Sequence, residues 1–282
     1  MNDVTHIIRT VISIILLLTL IGCSSSATNT EPTSNESEKD EVVLTISGSG
    51  STTAILEAVK PTFESDTPGY RLDVLPGSGT GGGVKGVIQG LLDVAAMARG
   101  VKEEEAAQDV QFVPLGQGAT AIITHPGVGV TELTNEEIVA LFSGELTNWS
   151  EVGGGDLPII LYVRDEGDSS TKALRKALLG ETPFSEKVAQ VVTSQGNMLT
   201  AVEGTPGSIG LATWPTTLAK GTKVEAIAIE GVMPNESTYP MLVSLGIGYL
   251  TERQPDVQPL IEWLDSDSGQ SALQKLDILT NQ

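Results

Sequence analysis

The sequence predicts an α/β fold of two lobes with a cleft between them, and three observations carry that reading. Apolar strand-like runs alternate with helical segments along the chain from residue 42 onward, as in layered α/β proteins. Three strand-to-helix junctions, at residues 48–53, 77–83 and 164–171, share one design in which glycines and hydroxyl residues open a helix. Two long apolar stretches, residues 111–124 and 239–249, suit strands that cross from one lobe to the other and back.

Composition narrows the function classes. A chain of 282 residues that is 40% hydrophobic can bury a sizeable core in one large or two ordinary domains. Lys plus Arg number 16 against 36 Asp plus Glu, and the net charge of −20 argues against nucleic-acid or anionic-membrane binding through a basic face. A small anion in a buried site is not excluded, because surface carboxylates beyond a Debye length of about 8–10 Å are screened. The only cysteine is Cys23 and the only histidines are His6 and His125, so no disulfide framework, metal centre or cofactor is expected.

Residues 1–22 read as a secretory signal: Arg9 precedes an apolar core too short for a comfortable membrane span, although Asp3 is unusual there. Leu20-Ile21-Gly22-Cys23 resembles the bacterial lipobox, which implies lipidation of Cys23 and a membrane-anchored, extracytoplasmic protein. Residues 23–41 are rich in Ser, Thr, Asn and Glu without apolar period, the composition of a disordered tether.

The folded part opens with an alternating strand at residues 42–46, then Gly48-Ser49-Gly50-Ser51-Thr52-Thr53 and a helix over 54–66. This is not a dinucleotide fingerprint, since the third glycine is missing at Thr53. A strand at 71–75 leads to Gly77-Ser78-Gly79-Thr80-Gly81-Gly82-Gly83 and a second helix; Val84 before Lys85 rules out a Walker loop. So many glycines at one junction suggest close approach of backbone to ligand, with amides exposed as a nest. Residues 92–98 read as a buried strand closed by Arg99, and the stretch at 111–124 as a strand broken by Pro114 and Gly116. His125 reads as a solvated or packing histidine. A helix follows at 134–142.

The strand at 157–163 ends in Arg164-Asp165-Glu166-Gly167-Asp168-Ser169-Ser170-Thr171, with good N-cap residues before a helix over 171–180. First-turn amides, hydroxyls and an arginine suit a tetrahedral oxyanion. Asp168 repels such a ligand unless the ligand carries a proton to donate, which is a rule for telling phosphate from sulfate. Helices are expected at 184–192 and 194–203, a strand at 208–212, a loop at 233–238 and two helices within 255–279. Trp149, Trp214 and Trp263 read as packing residues.

The segment Phe142-Ser143-Gly144 through Asn148-Trp149 to Gly153-Gly154 resembles that of the PstS-type phosphate-binding lipoproteins of ABC importers. The other motifs fall in that family's order, and the resemblance covers roughly residues 42–280. It implies a type II periplasmic-binding fold, with one lobe at 42–114 plus 240–282, the other at 115–239, and the ligand in the interlobe cleft. It further implies phosphate contacts from Thr52, Thr53, Thr80 and Arg164, and an ABC permease as partner; the helix starts themselves add Ser51, Gly79, Asp168, Ser169 and Ser170 as candidate contacts. Two departures stand out. Asp168 replaces a serine, and Met97-Ala98 stand where relatives place a serine or aspartate that accepts the phosphate proton. The two departures can compensate, or can mean another oxyanion. A tethered phosphate sensor is the alternative binding role. A phosphate-ester hydrolase is disfavoured because no metal cluster or paired base accompanies the hydroxyls.

Overall fold

The computed structural model describes residues 41–186 and 190–280. The expected leader, Cys23 and all of the expected tether except Glu41 lie outside them. In chain order the elements are β1 (Val42–Gly48), α1 (Gly50–Asp66), β2 (Tyr70–Val74), α2 (Thr80–Ile88), β3 (Val94–Met97), α3 (Glu103–Ala106) and β4 (Val110–Thr124). Next come β5 (Glu132–Leu133), α4 (Asn135–Ser143), β6 (Ile160–Val163), α5 (Ser169–Leu174), β7 (Gln190–Val191), α6 (Gln195–Gly204), β8 (Ser208–Thr213) and α7 (Trp214–Lys220). The chain closes with β9 (Glu225–Ala226), β10 (Ala228–Ile229), β11 (Leu242–Leu250), α8 (Gln254–Asp265) and α9 (Asp267–Gln274).

The strands follow the order β2-β1-β3-β11-β4-β8-β6-β7, with β9 on β4 and β10 paired separately to β5. Strands β1, β2 and β3 are parallel, and so are β6, β7 and β8, as expected where helices return the chain across a sheet. Between the two parallel groups run β4 and β11, antiparallel to one another along all of β11 and from Val110 to Ala119 of β4, whose remainder pairs with β8. They are the two strands expected to carry the chain from one lobe to the other and back.

Each lobe has its own core. One gathers Leu44, Ile46, Ile55, Phe63, Leu245 and Trp263; the other gathers Ile122, Phe142, Trp149, Leu161, Ile209 and Tyr239. Trp149 and Trp263 are therefore packing residues. Burial pushes the Tyr239 hydroxyl pKa upward.

Two expectations are corrected. Pro114 and Gly116 do not break the first crossover: β4 is continuous, and a register shift opposite Leu245 and Gly246 leaves Leu115 as the extra residue of a bulge. A bulge absorbs Pro114 without ending the ladder. Residues 184–186 are not helical and Gln190–Val191 is a strand on β6, so the helix expected over 184–192 is absent from its described parts. Parallel pairing to β6 outweighs the weak local helical pattern.

Candidate functional site: the interlobe cleft

The first half of the site is built from two loops that lean on each other. Strand β1 ends at Gly48, whose φ of +145° and contact with the Ala96 carbonyl leave no room for a Cβ. Ser49 donates its amide to that carbonyl at 2.7 Å, turning the chain into α1. The first bond closing the helix is Thr53 N to Ser49 O at 2.9 Å, so the amides of Gly50, Ser51 and Thr52 precede any helical acceptor. In the second loop Gly79, at φ +78°, caps α2 and donates to Gly48 O at 2.8 Å. The amides of Thr80, Gly81 and Gly82 again precede the first helical bond, from Gly83 to Gly79. A Cβ on Gly83 would lie 2.7 Å from Gly48 Cα, so glycine lets the two helix starts sit side by side.

The hydroxyls of this half are mostly engaged. Thr52, fully buried, donates to Met97 O at 2.8 Å, and Thr53 donates to Gly50 O at 3.2 Å. Thr80 Oγ1 accepts from Ala98 N at 3.1 Å, which leaves its proton for another partner. Ser51 Oγ reaches across to Gln195 Oε1 at 2.8 Å and Thr213 Oγ1 at 2.9 Å.

The second half is charged. Arg164 follows β6, and its Nη2 meets Asp168 Oδ2 at 2.7 Å, with the two side chains only 13% and 14% exposed. Asp168 is also the N-cap of α5: its Oδ1 accepts from Ser170 N at 2.9 Å and Ser170 Oγ at 2.7 Å. Thr171 Oγ1 donates to Arg164 O at 3.3 Å, fixing the start of the turn. Ser169 is exposed. The Nε of Arg164 is buried and has no hydrogen-bond partner among the described residues. A buried guanidinium N–H without an acceptor is costly, and an anion in the cleft is one way to satisfy it.

The two halves face each other. Strand β6 runs parallel to β8, with Ile160 and Leu161 opposite Ser208 and Ile209, so Arg164 leaves the sheet at the same end as Thr213. Thr213 is within hydrogen-bond distance of Ser51 at the start of α1. The start of α1 therefore meets the end of β8, the same sheet end from which Arg164 and Asp168 emerge. First-turn amides and a guanidinium are groups that suit a tetrahedral anion.

Sequence reasoning missed Gln195, Thr213 and Thr216, whose Oγ1 donates to Ser51 O at 3.1 Å. Their signal is faint: each lies at or near the start of a helix, and nothing local says that they meet Ser51. Among the described residues no group of three His, Cys, Asp or Glu side chains could hold a metal ion.

Residues 26–268 match the PBP superfamily domain. The chain belongs to that superfamily. Within it, the chain is 23% identical to the phosphate-binding protein PstS of Borreliella burgdorferi, over 86% of this chain and 92% of that one. It is 28% identical to PstS of Bacillus subtilis, over 74% and 69% of the two chains. A solved structure from Clostridium perfringens, a phosphate ABC transporter substrate-binding protein with bound phosphate, superposes with a TM-score of 0.71 at 23% identity, over 85% of this chain and all of that one. These relatives are of the kind that the sequence motifs resemble, and the shared fold is the two-lobed one described above.

Proposed function

We propose that this chain is an extracytoplasmic binding protein that captures inorganic phosphate in the interlobe cleft and delivers it to an ABC permease. The carrying observation is Arg164, whose buried Nε lacks a partner while its Nη2 is held by Asp168 at the start of α5. In this reading Arg164 makes charge-assisted bonds to the anion and Asp168 accepts the phosphate proton. Neutral donors come from the first-turn amides around Ser51, Thr52, Thr53, Gly79 and Thr80, from the Thr80 hydroxyl, and from Ser169; Ser170, expected as a further contact, gives both its amide and its hydroxyl proton to Asp168 and acts by holding that carboxylate. Support also comes from the two PstS relatives and from the phosphate named in the Clostridium perfringens structure.

The lobes divide at 42–114 plus 240–282 and 115–239 in this reading. Cys23 carries the lipid anchor, and residues 23–41 give the lobes reach above the membrane. Contacts from both lobes favour the closed state, which is what a permease can recognise. The chain acts as a binder and not as a hydrolase. A second reading, capture of another tetrahedral oxyanion, draws on Met97 and Ala98, which offer only backbone groups to their surroundings, Met97 O to Thr52 and Ala98 N to Thr80.

Calorimetric titration with phosphate at two pH values, with sulfate as competitor, tests the proposal. Tight phosphate binding that excess sulfate leaves unchanged is expected, with the preference reversed by Asp168→Asn. Absence of heat with phosphate overturns the assignment and directs the same titration to arsenate, molybdate and phosphonates.

A further inference from the structure

Ser51 stands in the first turn of α1, on the helix that carries Ile55, Leu56, Val59 and Phe63 into the first core. Its hydroxyl partners belong to the other lobe. Gln195 opens α6, whose Met198, Leu199 and Val202 pack with Ala121 and Ile123, and Thr213 ends β8. Ser51 Oγ lies 2.8 Å from Gln195 Oε1 and 2.9 Å from Thr213 Oγ1, while Gln195 Nε2 lies 3.2 Å from Thr213 O.

Donor and acceptor inventory fixes the direction of every bond. Thr213 O has no proton, so the Gln195 amide must turn its NH2 toward it and its oxygen toward Ser51. Ser51 therefore donates its single proton to Gln195, and the Ser51–Thr213 bond must use the Thr213 proton. The result is a ring running from Thr213 O–H to Ser51 O–H to the Gln195 amide and back to the Thr213 carbonyl. Such rings polarise cooperatively and act as a unit. Thr216, fully buried in the first turn of α7, adds a fourth bond to Ser51 O.

We propose that Ser51, Gln195 and Thr213 form an interlobe clasp that holds the cleft closed through protein groups alone, with Gln195 as the positioning residue. A Ser51 hydroxyl committed to Gln195 has no proton left for an oxyanion, so Ser51 acts on affinity through the closed-state population, while its amide remains free for the anion. Apparent affinity scales with the fraction of molecules in the binding-competent state, and each hydrogen bond weights that fraction by about two- to twelvefold.

The test uses the full chain with Cys23→Ser and spin labels at Lys85→Cys and Lys176→Cys, both exposed and one in each lobe. Double electron–electron resonance reads the interlobe distance, and calorimetry reads phosphate and sulfate binding. Ser51→Ala and Gln195→Ala should each move the unliganded population to longer distances. Each should weaken phosphate roughly three- to tenfold without changing its preference over sulfate. The double variant should fall within about twofold of Ser51→Ala, because both bonds of the Ser51 hydroxyl are already lost there, whereas Gln195→Ala leaves the Thr213–Ser51 bond in place. A hundredfold loss with Ser51→Ala at unchanged distances would make the Ser51 hydroxyl a ligand and overturn the clasp; unchanged distances and affinity in both variants would overturn it too. Should Ser51→Ala fail to fold, Gln195→Ala, at the half-buried start of α6, decides alone. The affinity arm rests on the phosphate reading, whereas the unliganded distances do not, so the two fail separately.

Discussion

Two arginines in this molecule stand just beyond a strand, each beside a carboxylate a few residues further on, and they are held very differently. Arg99, after β3, gives Nη1 to Gly100 O and Glu105 Oε2, both at 2.8 Å, and Nη2 to Glu105 Oε1 at 2.6 Å. Glu105 is further fixed by the Lys102 amide at 2.9 Å. Arg164, after β6, holds Asp168 through Nη2 alone and keeps a buried Nε without a partner. The first arginine holds its carboxylate through both terminal nitrogens. The second, like Arg253 after β11, keeps a buried Nε without a partner, and its place beside the helix start capped by Asp168 is what makes it the candidate for an anion.

The largest expected effect breaks the second half of the comparison. Arg164→Ala should weaken phosphate at least a hundredfold, on the order of 3 kcal/mol, because it removes the cation and leaves Asp168 facing the anion unpaired. Titration calorimetry measures this. Retained affinity would show that the amide arrays alone carry the anion.

Arg99→Ala is the matched control and should show the opposite pattern. It strands Glu105, which is 8% exposed, and a broken ion pair of this kind destabilises by about 2 kcal/mol once the partial exposure of Arg99 is discounted. Urea denaturation should therefore show a lowered midpoint, with phosphate affinity within about threefold of the parent. A large loss of affinity would erase the distinction between the two arginines.

Thr52→Val sharpens the reading of the neutral half. The Thr52 hydroxyl donates to Met97 O in a fully buried position, so its removal should cost about 1 kcal/mol of stability. Phosphate binding should change little if the Thr52 amide is the donor. A loss beyond a hundredfold would mean that the hydroxyl turns from Met97 to the anion.

Much of this was legible in the sequence. Alternating strands and helices, two crossovers and three helix starts rich in glycine and hydroxyls follow from short-range patterns, and so does Asp168 as an N-cap. The continuity of β4 through Pro114 was not legible, because the bulge depends on the register of β11, far along the chain. The partners of Ser51 were not legible either, since Gln195 and Thr213 lie 144 and 162 residues away. Nor could local patterns say that Arg99 grips its carboxylate with two nitrogens and Arg164 with one. Both follow strands, and only the placement of their carboxylates separates them.

The smallest effect concerns how Glu105 titrates, and its direction follows from that placement. Hydrogen bonds from Arg99 first, and then from the Lys102 amide, hold the Glu105 carboxyl below the usual carboxylate range. A carboxylate whose folded pKa lies below its unfolded one, about 4.3 for a free Glu, contributes stability that is complete above the unfolded value. That contribution is lost as pH falls through the folded value. Glu105→Gln removes the charge while keeping the shape, so the stability gap between parent and variant should be widest near neutral pH. It should narrow progressively as pH drops below about 4. Urea midpoints across that range measure the gap; a gap that stays constant would mean that Glu105 acts through packing and neutral hydrogen bonding, and that its hold on Arg99 owes little to charge.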